Sequence, residues 1–288
     1  MGKINTVILL GRIASKIRYK ENKNTKELVS VKFALQVSRR QYANEDGALG
    51  GSLLLSAPFI LSRNKDIMKK MLEMSEGDIV ILKGNLCTKE LTRIICCPNE
   101  DCEYEEQIDN STIIYVDPVF ILKLAHIEDK EEANHMLLKD LPEISNQVLI
   151  EGRLCTDVDY YADPNGKFRK SEYCIAVSRP RIIREDEKSV ATDKPWVQSF
   201  GKIALEDSSA LRTGSLITIN GAIMTVSFNK THECKLCGAE ITEKRTVTKI
   251  VPYSVEYREN CIKPESTHKK QGGEDETDQS VRQTEPAE

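Results

Sequence analysis

The chain has 288 residues, of which 40% are hydrophobic and 30% are charged, and its formal net charge is −4. This composition is typical of a globular protein with about two domains, and no run of about 18 apolar residues could form a transmembrane helix. The first residues contain no apolar signal segment, so we expect a cytoplasmic protein. In a reducing compartment, nine cysteines favour metal ligation or free thiols over disulfides. Taken alone, the negative charge argues against a nucleic-acid partner.

One pattern occurs twice along the chain. The segment NTVILLGRI at 5–13 recurs as NQVLIEGRL at 146–154, and Val-Ser-Arg at 37–39 recurs at 177–179. A glycine follows an apolar run at Gly84 and again at Gly221. The offset between the copies falls steadily, from 141 residues at the first segment to 137 at these glycines. This drift indicates one duplicated domain whose second copy has shorter loops.

Each copy is predicted to be mostly β-strand. Strict alternation of apolar and polar residues over 29–38 predicts a half-buried strand. Apolar runs predict further strands at 7–10, 79–82, 113–122, 148–150, 216–219 and 247–253. Helical spacing predicts one helix per copy, around 67–72 with Gly77 at its end and around 203–212 before Gly214. Three strands, a helix and two strands are the order of the oligonucleotide-binding (OB) fold, a five-stranded barrel.

We therefore predict an all-β protein of two tandem OB-fold barrels with a long hairpin between the fourth and fifth strands of each. The predicted segments are a first barrel at 1–124, a charged helical connector at 125–145, a second barrel at 146–258 and a disordered acidic tail at 259–288. Each barrel carries a net charge of +2, whereas the connector and the tail carry −4 each. The negative charge therefore lies outside the barrels, and a basic face on either barrel remains compatible with phosphate binding.

The order of these motifs resembles that of bacterial single-stranded DNA-binding proteins. In the second copy the resemblance extends to FGKIA at 200–204, LRTGS at 211–215 and ING at 219–221. It covers 4–124 and 146–257, and it implies a protein that coats single-stranded DNA by aromatic stacking and phosphate contacts. The implied roles are DNA replication, recombination, repair or transfer, including on a mobile element. The resemblance also implies a homodimer with four OB folds and a tail that recruits replication or recombination proteins, although this tail lacks the usual hydrophobic tip.

The resemblance implies a set of nucleic-acid-binding residues. Phe200 falls at the position of a stacking residue of the family, Trp196 shares its strand face by alternation, and Phe59 is the candidate in the first copy. Tyr42, Tyr160 and Tyr161 lie in or near hairpin loops. The basic candidates are Arg12, Arg39, Arg40, Arg153, Arg179, Arg181 and Lys202. The alternative is structural: the rings belong to the core and the basic side chains form a solvated barrel surface.

Two cysteine pairs occupy the same predicted hairpin in both copies. Cys97 and Cys102 lie in the first, and Cys234 and Cys237 in the second. Four thiolates are a preferred ligand set for structural zinc, so these residues predict one shared zinc site. Separate sites, completed by Cys87 and Cys96 or by His232, and unmetallated thiols are the alternatives. Typical members of the family lack these pairs.

No phosphate-cradling glycine loop, nucleophile elbow or metalloprotease motif is present in the sequence, so we expect a binding protein and not an enzyme. Two other classes remain open at this stage. One is an OB-fold adaptor of a primosome or mobile element with weak strand binding, and the other is an RNA-binding OB protein.

Overall fold

A computed structural model of the protein describes residues 4–42, 49–103, 105–142, 144–185 and 188–262. The first repeat contains β1 (Asn5–Ile13), β2 (Arg18–Glu21), β3 (Leu28–Tyr42), β4 (Leu49–Ser56), β5 (Phe59–Ser62), α1 (Lys65–Leu72), β6 (Asp78–Cys96) and β7 (Glu105–His126). The second contains β8 (Asn146–Leu154), β9 (Asp159–Ala162), β10 (Arg169–Glu185), β11 (Lys188–Asp193), β12 (Trp196–Phe200), α3 (Gly201–Ala210), β13 (Leu216–Glu233) and β14 (Glu240–Glu259). Between them lie α2 (Lys130–His135) and a π-helical turn, Met136–Asp140. Most of the predicted tail, from residue 263 onward, lies outside the described residues.

Five strands close a barrel in each repeat. β1 pairs antiparallel with β3 and β6, β6 pairs with β7, and β5 closes the barrel by running parallel to β7 with Phe59 opposite Tyr115. In the second repeat β8, β10, β13 and β14 pair in the same way, and β12 runs parallel to β14 with Val197 opposite Ile250. This arrangement confirms the two tandem OB-fold barrels with one short helix in each.

Two separate strand segments precede the helix in each barrel, β4 and β5 in the first and β11 and β12 in the second. Pro58 separates β4 from β5, and Pro195 separates β11 from β12. Because proline has no N–H to donate to a ladder, it ends the pairing of one strand segment before the next begins. Each proline carbonyl still accepts a hydrogen bond from the neighbouring strand, at Leu35 and at Ile175.

The apolar side chains of the predicted alternating strand fill the interior of the first barrel. Val31, Phe33, Leu35 and Val37 of β3 are all buried, whereas Val29 lies 36% exposed. The predicted helix of the first repeat buries Ile67, Met68 and Met71 but ends at Leu72 instead of at Gly77. Gly77 instead forms the turn before β6, with a φ of +94°, a conformation that glycine adopts without a side-chain clash.

The two barrels are joined through equivalent strands. β1 pairs antiparallel with β8, and Val7 lies opposite its repeat counterpart Val148. The side chain of Asn5 exchanges two hydrogen bonds with the backbone of Leu86, and Asn146 does the same with Ile223. These two pairs of bonds occupy equivalent places in the repeat, so the barrels are related by an approximate two-fold axis.

The connector packs against the first barrel. Ala133, Met136 and Leu141 lie against Leu10 and Ile79 of the sheet. The side chain of Asp129 accepts a hydrogen bond from the amide of Glu131 and begins α2, as an N-cap residue does. The structure thus has a short helix and a π-helical turn, together at 130–140, inside the predicted connector. None of the helices in the described part of the chain is long and apolar enough to span a membrane.

A buried carboxylate lies at the base of the second barrel. Asp207 of α3 accepts hydrogen bonds from the hydroxyls of Ser199, Tyr257 and Tyr173 at 2.5, 2.8 and 3.1 Å. Burial raises the pKa of Asp207 to about 6, against the lowering effect of these hydroxyls. The network joins α3 to three strands, and its role is structural.

The raised pKa of Asp207 predicts a pH dependence of stability. The folded state holds this proton more tightly than the unfolded state, so the contribution of Asp207 to stability should fall as the pH rises from about 4 to about 6. Two pKa units correspond to about 3 kcal/mol. We expect Asp207→Asn to remove this component, measured as a smaller loss of unfolding free energy between pH 4.5 and pH 7 in urea titrations. Equal losses in both proteins would contradict the prediction.

Candidate nucleic-acid surface and metal centre

The four cysteines predicted to form a shared site come together at the tips of the two long hairpins. Cys97 Sγ lies 3.5 Å from Cys237 Sγ, and Cys102 Sγ lies 3.7 Å from Cys234 Sγ. All four sulfurs lie within 4.8 Å of one another. A tetrahedron with metal–sulfur bonds of about 2.3 Å has sulfurs about 3.8 Å apart. The spacing is therefore compatible with one metal ion bound by both barrels.

A tight turn holds the two cysteines of the second hairpin. In the second hairpin Gly238 has a φ of +72°, and the amides of Gly238 and Cys234 bond to the carbonyls of Cys234 and Ala239. Burial opposes ionisation of Cys234, but hydrogen bonds from the amides of Cys237 and Leu236 lower its pKa to about 7. A hydrogen bond from the amide of Asn99 lowers the pKa of Cys97, but burial and hydrogen bonds with the other three thiols raise it to about 12. Cys234 is therefore the thiol that ionises first, and the thiolate is the form that binds metal.

The residues of the alternative, separate sites do not lie together in the structure. Cys87 is buried in the first barrel, and His232 lies 3.8 Å from a carboxylate oxygen of Glu243. Within the described ranges, the four hairpin cysteines are the only group of three or more potential ligands with metal-binding geometry.

An aromatic cluster lies on the outer surface of the second barrel. Tyr161 of β9 lies opposite Lys170 of β10, which lies opposite Phe200 of β12, so the three side chains form one row across the sheet. Phe168 caps this row, with its ring centroid 6.3 Å from that of Phe200 and 6.3 Å from that of Tyr161. Tyr161 and Phe168 are 54% and 38% exposed, whereas Phe200 is half-buried and packs against Met224 and Val251. Exposed rings beside a cation are the groups that base and phosphate binding require. We did not predict Phe168 or Lys170, although both are close in sequence to the candidate tyrosines.

The first barrel has a different surface at the same place. The register pairs Ser62 with Val31 as Ser199 pairs with Ser171, so Arg63 takes the position of Phe200. Lys20 lies opposite Ser30, where the second barrel has Tyr161 opposite Lys170. The aromatic row of the second barrel is thus replaced by a basic, polar one.

Phe59 corresponds to Trp196, not to Phe200. Phe59 pairs with Ala34, and Trp196 pairs with Cys174 at the equivalent point. The two rings have nearly the same exposure, 40% for Phe59 and 38% for Trp196. Both barrels therefore present one exposed ring at the start of the strand that closes them.

Arg179, predicted to bind nucleic acid, lies in a buried contact between the barrels. Its guanidinium forms two hydrogen bonds with Asp193, of 2.6 and 2.7 Å, and a third with the carbonyl of Thr88 in the first barrel. Thr88 in turn donates its amide and hydroxyl to Asp193. The side chains of Arg179 and Asp193 are 1% and 0% exposed. This geometry leaves the guanidinium no open surface for a phosphate.

Arg39 takes the equivalent place in the first repeat. Its Nε donates to the hydroxyl of Ser56, which also accepts a hydrogen bond from the amide of Thr225 in the second barrel. Arg12 is likewise buried, and it donates to the carbonyls of Ile127 and Glu128 at the start of the connector. These three arginines hold parts of the protein together, so we leave them out of the proposed nucleic-acid surface.

The other predicted residues are distributed over both barrels. Arg153 is 40% exposed and bonds to Glu259 and to the carbonyl of Gly214, whereas Lys202 is 73% exposed, 3.5 Å from Glu206. The amide of Arg40 donates to the hydroxyl of Tyr253, and Tyr160 is half-buried on β9. The side chains of Tyr42 and Arg181 lie outside the described residues. Contact of these residues with nucleic acid stays a prediction.

Comparison with known proteins gives a family match for the second repeat and similar structures for most of the chain. Residues 145–257 match the single-strand binding protein family. The wild-type single-stranded DNA binding protein from Thermus aquaticus has a similar structure, with a TM-score of 0.56 and 16% identity over 89% of this chain and 93% of that one. A deletion mutant of the same protein gives a TM-score of 0.56 and 16% identity over 92% and 98%. At this identity the likeness establishes the fold. A search of curated protein sequences finds no match.

Proposed function

We propose that this chain binds single-stranded DNA without reading its sequence, because residues 145–257 match the single-strand binding protein family. The observation that carries this proposal is the cluster of Phe200, Phe168 and Tyr161 beside Lys170 on the outer surface of that barrel. Exposed rings stack on any base, and a neighbouring cation attracts the phosphates. Such binding serves DNA replication, recombination, repair or transfer, and it requires no catalytic group.

The two barrels take different parts in this binding. The second stacks bases on its aromatic cluster, whereas the first, with Lys20 and Arg63 in the equivalent row, contacts the phosphate backbone. Phe59 and Trp196 supply one further ring in each barrel. A strand that follows both surfaces would be held by electrostatic attraction on one barrel and by stacking on the other.

Replacing Phe200 with alanine should weaken the binding of labelled oligo-dT by about 5- to 150-fold, because one stacked base contributes roughly 1–3 kcal/mol. Phe200→Tyr keeps the ring and should bind like the wild type, whereas Phe200→Leu keeps the apolar volume and should resemble the alanine variant. Fluorescence anisotropy in a salt titration measures the affinity of the wild type and the three variants for the oligonucleotide. Wild-type binding that is absent at low salt, or that does not weaken as salt increases, would contradict the proposed function.

The cysteine cluster supports a structural zinc ion. Cys97, Cys102, Cys234 and Cys237 would hold it, and zinc coordination would fix the hairpin of one barrel to that of the other. Four thiolates leave no open coordination position, so the ion would have no part in catalysis.

A second copy of the chain is the proposed partner of an apolar stripe on the first barrel. Phe120, Leu122 and Leu124 of β7 are 47%, 49% and 53% exposed. At the equivalent positions of β14 the second barrel has Ser254, Glu256 and Arg258, all exposed. An apolar stripe present on only one barrel fits pairing with the same stripe of another copy about a two-fold axis. The resulting homodimer would contain four OB folds.

The sequence of the second barrel suggests the substitution that tests this interface. Leu122→Glu introduces the side chain that Glu256 has at the equivalent position, and it places like charges opposite each other in a two-fold dimer. We expect sedimentation velocity to give a dimer for the wild type and a monomer for this variant. A monomeric wild type, or a dimeric variant, would contradict the interface. Recruitment of replication or recombination proteins by the tail stays a prediction.

A further inference from the structure

Two cysteines that lie outside the proposed metal centre face each other in the second barrel. Cys155 follows the end of β8, and its amide donates to the carbonyl of Cys174 in β10 at 2.8 Å. The register agrees, because the adjacent pair is Leu154 opposite Ile175. Residues directly opposite each other in an antiparallel pair project their side chains to the same face of the sheet. The two thiols are therefore neighbours.

The first barrel has alanine at both of these positions. The amide of Ala14 donates to the carbonyl of Ala34 at 2.8 Å. In each barrel a hydroxyl accepts the amide of the second residue, from Ala34 to Ser15 and from Cys174 to Thr156. The backbone is thus the same in both barrels, and methyl groups are large enough to pack there. Two cysteines at directly opposite positions therefore fit a bond between their sulfurs better than they fit a packing role.

The backbone at this pair suits a disulfide. Opposite residues of antiparallel strands have Cα atoms about 4.5–5.5 Å apart, within the range of about 4.4–6.8 Å that disulfides span. In the reduced protein Cys155 Sγ lies 3.8 Å from the carbonyl oxygen of Arg153, and Cys174 Sγ lies 3.6 Å from that of Lys194. Thiols are weak donors, so these contacts do not prevent the side chains from rotating toward each other.

The two thiols differ in exposure, which sets the order in which they react. Cys174 is 6% exposed, whereas Cys155 is half-buried. Burial raises the pKa of Cys174 to about 12, and the neighbouring Cys155 thiol adds to this effect. Cys155 is therefore the thiol that an oxidant reaches first and that ionises first.

We propose that Cys155 and Cys174 are a reversible oxidation site, at which hydrogen peroxide converts the two thiols to a disulfide. The Cys155 thiolate attacks one peroxide oxygen, and the O–O bond breaks to give a sulfenic acid and hydroxide. The Cys174 sulfur then displaces the hydroxyl group of the sulfenic acid, and its proton leaves with that group as water. The two sulfurs lose two electrons and the peroxide gains them. A thiol reductant reverses the reaction.

The disulfide closes the base of the hairpin that carries most of the aromatic cluster. Tyr161, Phe168 and Lys170 all lie between the two cysteines, in the β9–β10 hairpin. A bond at its base limits movement of the hairpin against β8 and so lowers the entropy that is lost when a bound strand orders the cluster. This effect on affinity rests on the proposed function, whereas formation of the bond does not.

Peptide mapping of the full chain identifies the bond. Trypsin places Cys155 in the peptide 154–167 and Cys174 in the peptide 171–181. Treatment of the folded protein with hydrogen peroxide should join these two peptides, and dithiothreitol should separate them. The joined species should be lighter by two hydrogen atoms than the sum of the two reduced peptides.

Cys174→Ala is the matched control, because it introduces the residue that the first barrel has at Ala34. The peroxide treatment should raise the thermal midpoint of the wild type by about 5–10 °C more than that of this variant. It should also tighten oligo-dT binding by the wild type about threefold relative to the variant. Cys261→Ala keeps the pair and should respond like the wild type.

The outcomes separate the bond from the proposed function. Unlinked peptides in the oxidised wild type would overturn the oxidation site. Linked peptides without a gain in affinity over Cys174→Ala would overturn the effect on the aromatic cluster. Absence of oligo-dT binding by the reduced wild type would contradict the proposed function, and linked peptides from the same protein would still support the oxidation site.

Discussion

Replacing Asp193 with alanine is expected to destabilise the protein by about 3–5 kcal/mol, because it leaves the guanidinium of Arg179 buried without its counter-ion. The loss has two parts. The two hydrogen bonds from Arg179 to Asp193 disappear, and so do the two that Thr88 of the first barrel donates to the same carboxylate. Urea unfolding followed by circular dichroism measures the change in the free energy of unfolding.

The duplicated sequence provides the matched control for this variant. Ser56 occupies the equivalent place, accepting hydrogen bonds from Arg39 and from the amide of Thr225. Ser56→Ala removes a neutral acceptor beside a half-buried arginine, so we expect a cost of about 1 kcal/mol. If both variants lose the same free energy, the charge of Asp193 has no special part in joining the barrels.

Removal of zinc should produce the second large effect. Elemental analysis of the purified protein should give one zinc per chain, and Cys234→Ser should lose it. A metal that binds only the folded state contributes about 4 kcal/mol when its free concentration is about 1,000 times its Kd. We therefore expect chelation to lower the thermal midpoint by about 10 °C at the usual few degrees per kcal/mol.

Cys96→Ser distinguishes the shared zinc site from its alternative. Cys96 is exposed and adjacent to Cys97, but it lies outside the group of four, so this variant should retain the metal. Loss of zinc from Cys96→Ser would indicate separate sites, and a wild-type protein without zinc would contradict the proposed metal centre.

The roles of the arginines were not predictable from the sequence. The repeat made Arg39 and Arg179 equivalent, and the family resemblance implied contact with DNA. Whether a guanidinium faces solvent or a carboxylate depends on Asp193 and on Thr88, which is 91 residues away from Arg179 in the chain. A contact between residues this far apart cannot be predicted from the local sequence pattern.

The position of Phe59 shows the same limit on a smaller scale. The alternation of β12 placed Trp196 and Phe200 on one face, but the first barrel could be aligned with either ring. The pairing of β5 with β3 and with the parallel strand β7 fixes Phe59 opposite Ala34 and Tyr115, and so identifies it with Trp196. Register is set by partners distant in sequence, and a local sequence pattern does not contain it.

The sequence by itself determined the duplication, the two β-barrels, the helix in each and the hairpins that carry the cysteine pairs. These features follow from residue spacing, because apolar periodicity and turn residues act within a few positions of one another. The tertiary structure decided which side chains meet. It brought Cys97 and Cys102 to Cys234 and Cys237, and it placed Arg179 against Thr88 of the first barrel. Those contacts join segments more than 80 residues apart, and only the closure of the barrels and the pairing of β1 with β8 bring them together.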